Sequence, residues 1–181
     1  MAYVAGSLTS GGAAGALFGW VGAFLLHGRA ATGVWWIGLG ALSLVLAFQE
    51  FGWLRVGTVE WRRQTVKIWF HRLGPTEAAW WWGMDLGSGL TTRVAFPIYW
   101  LLVVGALLSG GPAHGALVLC LFGFGRSVVT VILPPLFDLN AQTLARFVNS
   151  LMELRPLLHR WHGFGLLTLA MALLSVGVIR R

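Results

Sequence analysis

The sequence predicts an all-α, polytopic integral membrane protein, and three observations carry that prediction. The 181 residues are 57% hydrophobic and only 10% charged, whereas a soluble domain carries about a quarter charged residues. The apolar residues fall into five long runs, and the basic residues lie mostly between them. The 25 glycines and 11 tryptophans suit helices that pack closely through small residues and anchor at headgroup depth through indole rings. In a soluble protein the net charge of +7 would suggest nucleic acid. Here membrane topology and lipid headgroups account for it, and no nucleic-acid partner is expected. The lone Cys120 excludes an intrachain disulfide, a Cys-x-x-Cys relay and a thiolate metal cage. The N-terminus lacks a basic n-region, so its apolar run reads as a membrane span rather than a cleavable signal.

The whole chain, 1–181, reads as a single transmembrane domain. The first span is 8–27, in which Gly11, Gly15, Gly19 and Ala23 recur every four residues. That spacing puts small residues on one face, where another helix can approach closely; other membrane subunits are candidate partners there. A short link, 28–33, makes the second span, 34–51, the return arm of a helical hairpin. Trp35 and Trp36 mark one interface, and Gln49 and Glu50 mark the other.

Residues 52–78 interleave Arg55, Arg62, Arg63, Lys67 and Arg72 with Trp53, Trp61, Trp69 and Phe70. Beside membrane helices this alternation fits a segment lying in the headgroup layer. The excess of basic residues places it in the cytoplasm, with the protein in the cell (inner or plasma) membrane.

The third span lies within 80–110, and these 31 residues are too many for one upright crossing. Wholly helical they would reach about 46 Å, against a hydrocarbon core of about 30 Å. Breaks are expected at Gly87–Gly89 and at Pro97. The fourth span, 115–136, carries Arg126 and Ser127 at its middle and ends at Pro134-Pro135. Residues 138–160 read as an amphipathic interfacial helix, with Leu144, Phe147, Val148, Leu151 and Met152 on one stripe and Pro156 as its stop. The fifth span is 162–179. The dibasic end, Arg180-Arg181, then falls on the outer side; six crossings would return it to the inside.

Charges inside membrane spans need a reason. Asp85 and Arg93 lie about 12 Å apart along an unbroken helix and about 80° around it, too far to touch directly. Arg126, on the other arm of a hairpin turning at 109–115, lies near the depth of Arg93. One reading is structural: an Asp–Arg pair, with the other arginine bonded to carbonyls freed at the helix break. A second is a polar binding site for a small anionic solute, formed by Asp85, Thr91, Thr92, Arg93, Tyr99, Arg126 and Ser127. In a third, a partner subunit supplies the anion. His159 and His162 have i, i+3 spacing, which permits shared metal binding, but a lone pair near an interface is a weak metal signal. No metal, cofactor or catalytic set is expected.

The stretch GMDLGSGLTTRVAFPIYWLLVVGALLSGGPAHGALVLCLFGFGRS resembles the second-half hairpin of the CcdA/DsbD family of transmembrane thiol electron carriers. Gly87, Gly89, Pro97 and the segment Gly123-Phe124-Gly125 carry the resemblance, which covers roughly 50 residues. Thr92-Arg93 stands about where that family has its redox cysteine. The resemblance implies a scaffold of broken helices around a midplane site. Its thiol chemistry does not carry over, because Cys120 aligns with neither redox cysteine. The leading expectation is therefore a protein that binds or transports a small solute, without thiol redox activity. The alternative is an accessory subunit of a respiratory, photosynthetic or cytochrome-assembly complex. An electron-transfer role with a cofactor or thiol partner ranks third.

Overall fold

The computed structural model describes residues 1–26, 33–54, 72–89, 98–132, 146, 149–150 and 153–179. Among them are six α-helices: α1 (Ala2–Leu25), α2 (Gly33–Glu50), α3 (Pro75–Ser88), α4 (Ile98–Leu108), α5 (Pro112–Ser127) and α6 (Arg155–Ile179). A π-helical turn, Val128–Ile132, extends α5. No strand occurs among the described residues. Helices α1, α2 and α6 are each long and apolar enough to cross a membrane. The described helices pack as two compact units: Met1–Ala30 with Val59–Phe137, and Ala31–Thr58 with Asp138–Arg181.

In the first unit α1 packs most extensively against α5 and α3. Glycine makes this possible. A Cβ on Gly11 would stand 2.6 Å from the Leu119 carbonyl oxygen. On Gly15 it would collide with the carbonyl of Gly115, and on Gly19 with that of Gly111. On the α3 side, Gly6 meets the Trp80 carbonyl, while Gly83 and Gly87 meet those of Tyr3 and Ser7. Two backbones this close gain dispersion contacts that larger residues would prevent. Ser7, fully buried between the two seams, donates to the Gly123 carbonyl oxygen at 2.9 Å. Tyr99, Val103, Ala106 and Leu119 form the buried apolar cluster, joined by Ala14 and Phe18 of α1. The opposite surface of α1 shows Leu17, Trp20, Phe24 and Leu25, an exposed apolar face that suits lipid.

In the second unit α2 and α6 pack against each other as an antiparallel pair, Glu50 beside His162 and Gly40 beside Leu174. Ser43 donates to the Leu166 carbonyl oxygen at 2.8 Å. Gly40 and Gly177 admit the side chains of Leu174 and Ile37. Phe51 meets Phe164 edge-on, with ring centroids 5.1 Å apart.

Several expected boundaries move. The first helix begins at Ala2, not residue 8, because Tyr3, Gly6 and Ser7 are buried and prolong the packed face. The 80–110 span is two helices, α3 and α4. Residues 75–78, assigned to the surface segment, form the first turn of α3. Pro75 opens that helix and Glu77 complements its positive end. The fourth span starts at Pro112 rather than residue 115, since proline fits the first turn of a helix. The last begins at Arg155, not residue 162. Leu154 N–H bonds to Ser150 and Leu158 N–H to Leu154, so helical bonding runs through Pro156 rather than stopping there. Residues 55–71, the break at Pro97, the tail of the fourth span and most of 138–152 lie outside the described residues.

Candidate functional site

The break expected at Gly87–Gly89 is present. Helix α3 ends at Ser88, and Gly89 follows in the left-handed region at φ 65°. Glycine is suited to this position twice over: the backbone disfavours a side chain, and a Cβ would run into the Tyr99 ring. The last four carbonyls of a helix lack intrahelical partners. In a membrane they cannot turn to bulk water, so protein must answer them.

Neighbouring side chains do so here. Tyr99, on α4, donates its hydroxyl to the Ser88 carbonyl oxygen at 2.7 Å. Arg126, on α5, donates Nη1–H to the Leu86 carbonyl oxygen at 2.9 Å. Ser88 turns its own hydroxyl back to the Asp85 carbonyl oxygen at 3.2 Å. The guanidinium charge also complements the partial negative charge of a helix C-terminus. Its carbon lies 5.7 Å from the centroid of the Phe122 ring, within cation–π range. Asp85, half-buried on α3, lies within electrostatic reach of the same guanidinium, as do Tyr3 and Tyr99.

Of the seven residues proposed from the sequence, Asp85, Tyr99 and Arg126 therefore meet at one helix break. Ser127 is fully buried, but its hydroxyl turns back to the Gly123 carbonyl oxygen at 2.8 Å, a local bond within α5. Thr91, Thr92 and Arg93 lie outside the described residues. Arg126, half-buried, thus bonds a carbonyl freed by the break. The glycine face of α1 is occupied by the chain's own α5. Gly11, Gly15 and Gly19 are buried there.

The second unit holds a cluster that the sequence left scattered. Glu50 closes α2 with a side chain 3% exposed. His159 Nδ1 meets its Oε2, and His162 Nδ1 lies 3.3 Å from Oε1. The i, i+3 histidine spacing was the available signal; that an interface-marking glutamate was their partner was not legible. Among the described residues no group of three His, Cys, Asp or Glu side chains is arranged to hold a metal ion.

No protein-family model matches the chain, so the resemblance to CcdA/DsbD gains no support there. No solved structure matches it significantly. Among curated proteins it is similar to the methylamine utilization protein MauF of Methylophilus methylotrophus. The two are 30% identical over 176 residues, an alignment that covers 96% of this chain and 58% of the relative. The chain thus spans somewhat more than half the length of the curated relative it matches.

Proposed function

We propose that this chain is a polytopic membrane protein with an accessory role in methylamine utilization. The observation that carries this reading is the similarity to MauF along 96% of the chain. The site is consistent with it. Tyr99, Arg126 and Ser127 direct their hydrogen bonds to the protein's own backbone, as in a self-supporting scaffold. Five crossings are proposed: α1, α2, the α3–α4 pair around its break, α5 with its π turn, and α6. The basic segments 52–78 and 138–160 then face the cytoplasm. Deleting the chain from its host tests the role. Growth on methylamine should be lost and restored by the gene in trans, while growth on an unrelated carbon and nitrogen source is retained throughout. Undiminished growth on methylamine would overturn the reading.

A second reading is a CcdA-like scaffold, without thiol chemistry, that binds or moves a small solute. The convergence of Asp85, Tyr99 and Arg126 on one helix break favours it, since broken helices near the midplane are where transporters bind substrates. It requires that Arg126→Gln, purified and correctly inserted, lose solute uptake into proteoliposomes. Uptake equal to wild type would remove it.

A further inference from the structure

Glu50 stands at the end of α2 with its carboxylate almost wholly withdrawn from solvent, at 3% exposure. Such a charge persists only against partners that replace its hydration. Both partners come from α6: His159 Nδ1 against Oε2, and His162 Nδ1 at 3.3 Å from Oε1. Arg155 donates its Nε–H to His159 Nε2 at 3.3 Å. With Nε2 accepting, the hydrogen-bond pattern assigns the His159 proton to Nδ1, which donates to Glu50. The carboxylate is thereby joined through His159 to the Arg155 guanidinium.

His162 meets the other oxygen. Among the described residues, the titratable group facing it from α2 is Glu50, and on α6 itself the neighbouring groups include His159 and, through it, Arg155. Imidazole is the side chain that changes charge between about pH 5 and 8. A proton on His162 turns its contact with Glu50 into an ion pair and brings that pair to zero net charge. The aromatic contact of Phe51 with Phe164 lies one residue past the end of α2 at Glu50 and two residues beyond His162 on α6. It flanks the cluster with apolar surface, which strengthens electrostatics there.

We propose that Glu50, His159 and His162 form a proton-binding clamp that fastens this end of α2 to α6. The sign follows from the ion pair: the clamp is closed when His162 carries a proton, so it tightens as pH falls and loosens as pH rises. Spin labels test this on the full chain in nanodiscs. In a Cys120→Ser background, Leu54→Cys with Leu157→Cys reports the clamped end, and Val45→Cys with Leu169→Cys reports the middle of the α2–α6 pair. All four sites are exposed. The expected result is a narrow 54–157 distance distribution at about pH 5.5 that broadens at about pH 8, with the 45–169 distribution unchanged. Glu50→Gln and His162→Gln should each lose the pH response. A wild-type distribution identical at both pH values would overturn the clamp, as would a response that survives in both variants. If Glu50→Gln disturbs the 45–169 distance and so fails to fold, His162→Gln decides alone.

Discussion

Arg126 shows how one side chain can resolve a conflict set up by the backbone. A break at Gly89 frees carbonyls at a part-buried helix end, and the arginine beside it needs acceptors. Placing one against the other answers both needs. Arg126→Gln should therefore destabilise the first unit by up to about 1–3 kcal/mol, the cost of leaving a part-buried carbonyl unsatisfied. Arg126→Lys should recover part of this, because the charge remains favourable at a helix C-terminus. Tyr99→Phe removes one hydrogen bond to the same helix end and should cost about 0.5–1.5 kcal/mol. Denaturant titration in detergent micelles checks all three variants. Because both residues cap one terminus, the double variant should deviate from additivity by about 0.5 kcal/mol or more. Strict additivity would mean that the two caps act independently. The conflict itself was legible in the sequence as glycines and an arginine in apolar runs. Which carbonyl the arginine answers was not, because that depends on how α5 slides along α3.

At the scale of elements, the recurrence of Gly11, Gly15 and Gly19 announced a close helix contact but not its partner. The partner proves to be α5, with Gly115 facing Gly15 reciprocally. Spacing within one helix identifies a face, whereas the face it meets is a property of two helices. Boundaries were harder still. Proline was read as a stop at residue 156, yet near a helix start its missing N–H costs little. The seam makes a sharp contrast between neighbours. Gly15→Ala forces a methyl into the Gly115 carbonyl and should cost about 1–3 kcal/mol, as overpacking does. Gly12 has nothing within 4 Å of its would-be Cβ, so Gly12→Ala should be neutral, or stabilising by up to about 1 kcal/mol through helix propensity. In the second unit, Ser43→Ala removes an interhelical bond of a kind worth about 0.6 kcal/mol on average, a smaller effect than breaking the glycine seam. Thermal melts of the detergent-solubilised variants separate these cases. Equal shifts for Gly12→Ala and Gly15→Ala would show that the two helices do not depend on close approach.

For the whole molecule, composition made the class legible while leaving the crossings uncounted. Three helices meet the length and apolarity that a span requires. The others fall short alone: α3 has 14 residues and α4 has 11, about 21 Å and 16 Å at 1.5 Å per residue. Only joined across the break do they match a core of about 30 Å. Alpha5 with its π turn spans Pro112–Ile132, about 31 Å at the same rise. In the proposed topology, five crossings from a cytoplasmic N-terminus would leave Arg180 and Arg181 outside, against the usual charge bias, and would hold the basic segment 52–78 inside. That segment contributes Arg55, Arg62, Arg63, Lys67 and Arg72 against Glu60 and Glu77, and lysines and arginines dominate the bias over acidic residues. Reporter fusions should accordingly give cytoplasmic activity at residue 66 and periplasmic activity after residue 181. Replacing Arg62, Arg63 and Lys67 by glutamine should weaken the first signal and yield a mixed population, because three of the charges that hold this segment inside are gone while the C-terminal pair still favours inversion. A cytoplasmic signal from the C-terminal fusion of the unaltered chain would require an even number of crossings, and α3 and α4 would then have to be reassigned as two separate passages or as none.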